Sequence, residues 1–134
     1  MVGILLITHG ALGENLLRAA AHTLGRQPAR AESLAVTDRD APEFLLSKAR
    51  EALARVDDGS GVLVLADMFG ATPANVAAKL LANGRVEGLA GANLPMLVRA
   101  LAHRDEPLAA VVEMARSGAT EGVVYMNKDR CCNG

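Results

Sequence analysis

The stretch Val2-Gly3-Ile4-Leu5-Leu6-Ile7-Thr8-His9-Gly10 decides the fold of this chain. Six apolar or glycine positions without alternation read as a strand covered on both faces, the pattern of a parallel sheet held between two layers of helices. His9 then stands where the strand leaves the core. In open α/β sheets ligands gather at the carboxyl ends of the strands, so a titratable ring there is placed for chemistry. A strand-end histidine can also do no more than hydrogen-bond the next loop, and the decision turns on what else converges on that point.

A second run, Gly61-Val62-Leu63-Val64-Leu65-Ala66, has the same character and again stops at an ionisable residue, Asp67. Met68-Phe69-Gly70-Ala71-Thr72-Pro73-Ala74-Asn75 follows as a loop entering a helix, with Thr72 as its N-cap and Pro73 in the first helical position. Around these two runs the chain alternates strands and helices. Leu12, Leu16, Ala20 and Leu24 recur at helical spacing before a Gly25 stop, and Glu32–Thr37 is a short strand nearer an edge. Asp40 and Glu43 form a capping-box pattern ahead of the stripe Leu45, Ala49, Leu53 and Val56. The helix after Pro73 runs to Asn83-Gly84, Val86–Gly91 is a fourth strand, and Asn93 caps a helix with Pro95 in its first turn. Pro107 opens a further helix that Gly118 terminates, and Gly122–Met126 reads as a last strand. His22 is read as a surface residue, and His103 with Arg104-Asp105-Glu106 as a solvated helix end. The order predicts a single-domain α/β sandwich of three layers over residues 1–127, with 128–134 as a tail.

At 134 residues the chain is long enough to bury a core without staples. Hydrophobic residues make up 51% but aromatics only 2%, so that core is aliphatic and stacking platforms for single-stranded nucleic acid are missing. A net charge of −1 argues against nucleic acid or an anionic membrane surface as partner. No apolar run approaches the ~20 residues that span a bilayer, and a cytoplasmic location is expected. Cys131 and Cys132 are adjacent, too close to staple any part of the fold, and their role stays open.

If the sheet order is 2-1-3-4, the first and third strands are neighbours whose connections leave in opposite directions, and His9 and Asp67 face each other across the crevice. A carboxylate that accepts a proton from one ring nitrogen fixes the tautomer and leaves the other nitrogen's lone pair free to attack. Gly70, Ala71 and Thr72 offer backbone N–H groups at a helix start, a hydroxyl, and small side chains that admit a phosphate. Alone, such a loop is ordinary helix-entry punctuation; with His9 and Asp67 converging on it, it reads as the cradle of a phosphohistidine. No Walker-type lysine, dinucleotide fingerprint or Gly-x-Ser-x-Gly elbow occurs. Asp38 and Asp40 are explained as loop and cap, so no third metal ligand stands near a strand end, and neither metal nor cofactor is expected.

Three pieces of this sequence resemble the mannose-family enzyme IIA domain of the bacterial phosphoenolpyruvate-dependent sugar phosphotransferase system. They are the strand into Thr8-His9-Gly10, the run Asp67–Asn75, and Gly91-Ala92-Asn93-Leu94-Pro95-Met96-Leu97. The resemblance implies that His9 is phosphorylated on Nε2 by the phosphocarrier HPr, that Asp67 orients it, and that the phosphoryl group passes to a histidine of a IIB partner. It also implies a homodimer whose last strand, here Val123–Met126, pairs antiparallel with the other subunit's sheet, and a link to the membrane only through permease partners. Two departures stand out: Ala71 replaces the second of two adjacent glycines, and longer members continue into a linker and a IIB domain. A regulatory role therefore stands beside sugar transport, and the alternatives are a IIA-like phosphoryl donor for a dihydroxyacetone kinase or a non-enzymatic module whose binding depends on the state of His9.

Overall fold

The computed structural model describes residues 1–129. Its elements follow in the order β1 (Gly3–His9), α1 (Leu12–Leu24), β2 (Ala31–Val36), α2 (Pro42–Val56), β3 (Val62–Ala66), α3 (Thr72–Ala78), β4 (Val86–Ala90), α4 (Leu94–Ala102), α5 (Leu108–Glu121) and α6 (Met126–Asp129). The four strands form one parallel sheet in the order β2-β1-β3-β4. Ile7 lies between Leu34 of β2 and Ala66 of β3, so β1 and β3 end side by side.

Alternation along the central strands divides the core in two. Ile4, Leu6, Leu63 and Leu65 pack with α1, α4 and α5, while Leu5, Ile7, Val62 and Val64 pack with α2 and α3. All eight are fully buried, which is why β1 and β3 carry no polar side chain before their ends. Each such burial is worth about 1.5–3 kcal/mol.

Several local expectations are corrected. Asp40 does not cap α2: its carboxylate accepts from the Thr37 N–H at 3.1 Å and from the Thr37 hydroxyl at 2.9 Å, and Ala41 precedes a helix opened by Pro42. Thr72 is the first residue of α3 rather than its cap, because the extended Ala71 occupies that place, and α3 ends at Ala78, short of Asn83-Gly84. Gly118 does not end α5. It lies where α5 crosses α4, and a Cβ there would stand 3.1 Å from the Pro95 carbonyl oxygen. It allows close helix packing instead of breaking the helix. Gly25, by contrast, terminates α1 in the left-handed conformation as expected, and the Asn93 side chain accepts from the Met96 N–H at 2.9 Å.

The expected fifth strand is not formed among the described residues. Val123, Val124, Tyr125 and Met126 are exposed, and Met126 opens the four-residue α6. A strand exists only where an edge supplies hydrogen-bond partners, and among the described residues this segment lies against none. Cys131 and Cys132 lie outside the described residues.

The helix end at His103 is not wholly solvated either. His103 pairs with Glu106, but Arg104 is buried, donating from Nε to Val2 O at 3.0 Å and from its two terminal nitrogens to Ala29 O at 2.5 Å and Arg30 O at 2.8 Å. These bonds lock the start of β1 to the turn before β2. Arg104→Met is expected to lower the unfolding free energy by about 2–4 kcal/mol, because three carbonyls lose a charged donor. Urea denaturation measures this; an unchanged midpoint would mean that water takes over all three bonds.

Candidate functional site

The end of β1 places His9, and the residue directly after β3 is Asp67. Because the two strands are adjacent and parallel, the imidazole and carboxylate meet: His9 Nδ1 lies 2.8 Å from Asp67 Oδ2. The same oxygen accepts the His9 backbone N–H at 3.0 Å. Asp67 thus holds both the ring and the main chain of His9. The carboxylate is nearly enclosed, with 9% of its side chain exposed, whereas 53% of the His9 side chain faces solvent. With Nδ1 engaged, Nε2 is the ring nitrogen left for another group.

Burial by itself raises the Asp67 carboxyl, but the His9 backbone N–H, the imidazole hydrogen bond and the ring's charge outweigh it and hold the pKa below the ordinary carboxylate value. A carboxyl depressed by folding adds stability above its ordinary range, and that increment is lost as pH falls through the folded-state value. Asp67 Oδ1 is buried and has no hydrogen-bond partner among the described residues.

The loop after Asp67 carries the other candidates. Gly70 is exposed with φ +85°, a conformation that suits glycine. Ala71 is half-buried and Thr72 exposed at the start of α3, and no side chain caps that helix. α4, in contrast, is capped by Asn93. The sequence reading missed the apolar rim. Leu12 in the first turn of α1, Phe44 in the first turn of α2, and Met68 and Phe69 beside Asp67 are all exposed, and parallel topology sets these helix starts at the carboxyl end of the sheet. Phe69, at 86% exposure, is the most prominent.

Two clefts flank the pair. One of about 410 Å³ lies between α1 and β2 under Gly10, and one of about 300 Å³ lies between α3 and β4 under Phe69 and Gly70. His9 lines neither of these two clefts, and its ring is half-exposed. His22 is exposed on α1, away from this end of the sheet.

Residues 3–116 match the family described as the PTS system fructose IIA component, the EIIA-man family. The chain belongs to the mannose-type EIIA family. It is 36% identical over 127 residues to the PTS system mannose-specific EIIAB component of Escherichia coli strain K12, a match covering 87% of this EIIA chain and 38% of that relative. It is 39% identical over 64 residues to the PTS system fructose-specific EIIA component of Bacillus subtilis strain 168, covering 47% of this chain and 44% of the relative. The chain thus spans well under half the length of the mannose-specific EIIAB relative. Among solved structures, the PTS IIA protein associated with the fucose utilization operon from Streptococcus pneumoniae superposes with a TM-score of 0.84 at 23% identity, covering 97% of this chain and 99% of that one. EIIA from Streptococcus agalactiae gives 0.83 at 23% identity, with coverage of 95% and 98%. These two likenesses establish the shared fold. As an EIIA domain, the chain is of the phosphotransferase-system component class, and no helix among its described residues is long and apolar enough to cross a membrane.

Proposed function

We propose that this EIIA domain accepts a phosphoryl group from phospho-HPr on Nε2 of His9 and passes it to a histidine of a IIB partner. The observation that carries the reading is the bond from His9 Nδ1 to a nearly enclosed Asp67 beneath a half-exposed ring. The Nε2 lone pair attacks phosphorus as the P–N bond to the HPr imidazole breaks and its electron pair returns to that ring. Nδ1 keeps its proton, donated to Asp67, so the charge that develops on the His9 ring is met by a carboxylate already in place. The N–H groups of Gly70, Ala71 and Thr72 and the Thr72 hydroxyl would hold the phosphoryl oxygens, and the uncapped start of α3 favours this. A helix end alone contributes about 0.3–1 kcal/mol, so the directed bonds do most of the holding. Passing the group on is the same step reversed onto a second histidine.

Phosphoenolpyruvate, enzyme I and HPr together are expected to introduce one acid-labile phosphate per chain. No label with a competent HPr, or label on another residue, would overturn the reading. The apolar rim serves as the docking surface in this scheme, with Phe69 as its most exposed contact. Phe69→Ala should raise KM for phospho-HPr about tenfold with little change in kcat, as loss of a binding anchor does; steady-state transfer at varied HPr checks it, and an unchanged KM would remove Phe69 from the interface. The exposed segment Val123–Met126 is, on the same reading, the part that pairs with a second copy in a homodimer.

A further inference from the structure

The geometry points to Thr8 as a positioning residue for His9: its buried hydroxyl clamps the start of α1 and thereby holds the imidazole against Asp67. The inference rests on the reading of His9 as the phosphoryl acceptor and names a residue on which that site depends.

Thr8 is fully buried at the end of a strand in which every other enclosed side chain is aliphatic. Side chains alternate along β1, so Thr8 points with Ile4 and Leu6 toward the layer of α1, and His9 points to the opposite face. Thr8 Oγ1 accepts the Gly13 N–H at 2.8 Å, a bond buried from solvent. Gly13 is the second residue of α1, and its N–H is one of the donors that a helix start leaves unsatisfied. The residue in the cap position of α1 is Ala11, which offers no side-chain acceptor. The strand therefore supplies the cap that the helix lacks.

The close approach is built in at Gly13. A Cβ there would collide with Ser33 Oγ and stand 3.0 Å from Thr8 Oγ1. Only Gly10 and Ala11 separate β1 from α1, and Gly10 sits at φ +49°. Besides the Asn15 N–H to Ala11 O bond of the first helical turn, three bonds tie this segment to its surroundings: His9 N–H to Asp67 Oδ2, Gly10 N–H to Val36 O at 2.9 Å, and Gly13 N–H to Thr8 Oγ1. The third is the one that fixes the helix relative to the strand. With that bond gone, α1 tilts to give the Gly13 N–H to water, and the short turn passes the movement to the backbone of His9.

Thr8→Val keeps the shape and removes the acceptor, and Thr8→Ser keeps the acceptor. Phosphoryl uptake from phospho-HPr by the Thr8→Val protein is expected to fall roughly 10- to 100-fold in kcat with KM little changed, the scale that ångström-sized misplacement produces. Thr8→Ser should restore most of it. In the unphosphorylated proteins, proton NMR should show the hydrogen-bonded Nδ1–H of His9 in wild type and Thr8→Ser, and a broadened or absent signal in Thr8→Val. Should Thr8→Val fail to fold, Thr8→Cys, whose sulfur is a weak acceptor, carries the test and should fall between the two. A wild-type ring signal and rate in Thr8→Val or Thr8→Cys overturns the inference, as does a loss confined to KM or one equally severe in Thr8→Ser. Failure of the wild-type protein to take phosphate would instead overturn the functional reading, while the ring signal would still decide whether Thr8 positions His9.

Discussion

His9→Ala is expected to leave a folded EIIA domain that takes up no phosphate. The ring is half-exposed, and the backbone bonds that shape the turn survive its loss, since the His9 N–H to Asp67 and the Gly10 N–H to Val36 O belong to the main chain. What disappears is one side-chain contact of a half-exposed ring, while the enclosed carboxylate keeps the His9 N–H, so stability should fall by only about 1–2 kcal/mol. The nucleophile, however, is gone entirely. Acid-labile labelling should drop from one phosphate per chain to background while the thermal transition stays near that of wild type. Labelling at the wild-type level would transfer the acceptor role to another residue.

Asp67→Asn should slow uptake without preventing it. The amide oxygen can still accept the His9 N–H, and the change adds almost no volume to a nearly enclosed site. It removes the negative charge that fixes the Nδ1 proton and meets charge developing on the ring. In a serine-protease triad the same exchange costs about 10^4 in kcat. Here no proton leaves Nδ1 during transfer, so the expected loss is about 10^2, with 10^4 as the ceiling. Rapid-quench labelling with phospho-HPr gives the number. A rate within about twofold of wild type would show that the charge of Asp67 does not assist transfer. The substitution should also abolish the part of the acid-induced loss of stability that comes from protonating this depressed carboxyl.

Both predictions lean on residues that local sequence made legible. His9 and Asp67 are conspicuous because each follows a run of aliphatic residues buried on two faces, where any polar side chain must mark the strand's exit. Thr8 is illegible in sequence for the same physical reason in reverse. Standing between Ile7 and His9, it gave no sign that its hydroxyl would meet the Gly13 N–H, since that bond depends on where α1 lands. In sequence Arg104 stands in a charged run that reads as a solvated helix end, yet its long side chain reaches three carbonyls from segments about a hundred and about seventy-five positions away. Gly118 looked like a stop because glycine breaks isolated helices, whereas packing against Pro95 and Arg99 rewards its missing side chain.

From the sequence alone came the alternation of strands and helices, the parallel sheet, and the two ionisable residues at the ends of its central strands. These are consequences of periodicity and of burial on both faces, which neighbouring residues encode. Only the tertiary structure decided that His9 and Asp67 share a hydrogen bond, that Thr8 ties strand to helix, that Arg104 is interior, and that Val123–Met126 finds no strand partner among the described residues. Each of those depends on contacts between distant segments, whose distances are set by how whole layers pack and by whether a sheet edge is free.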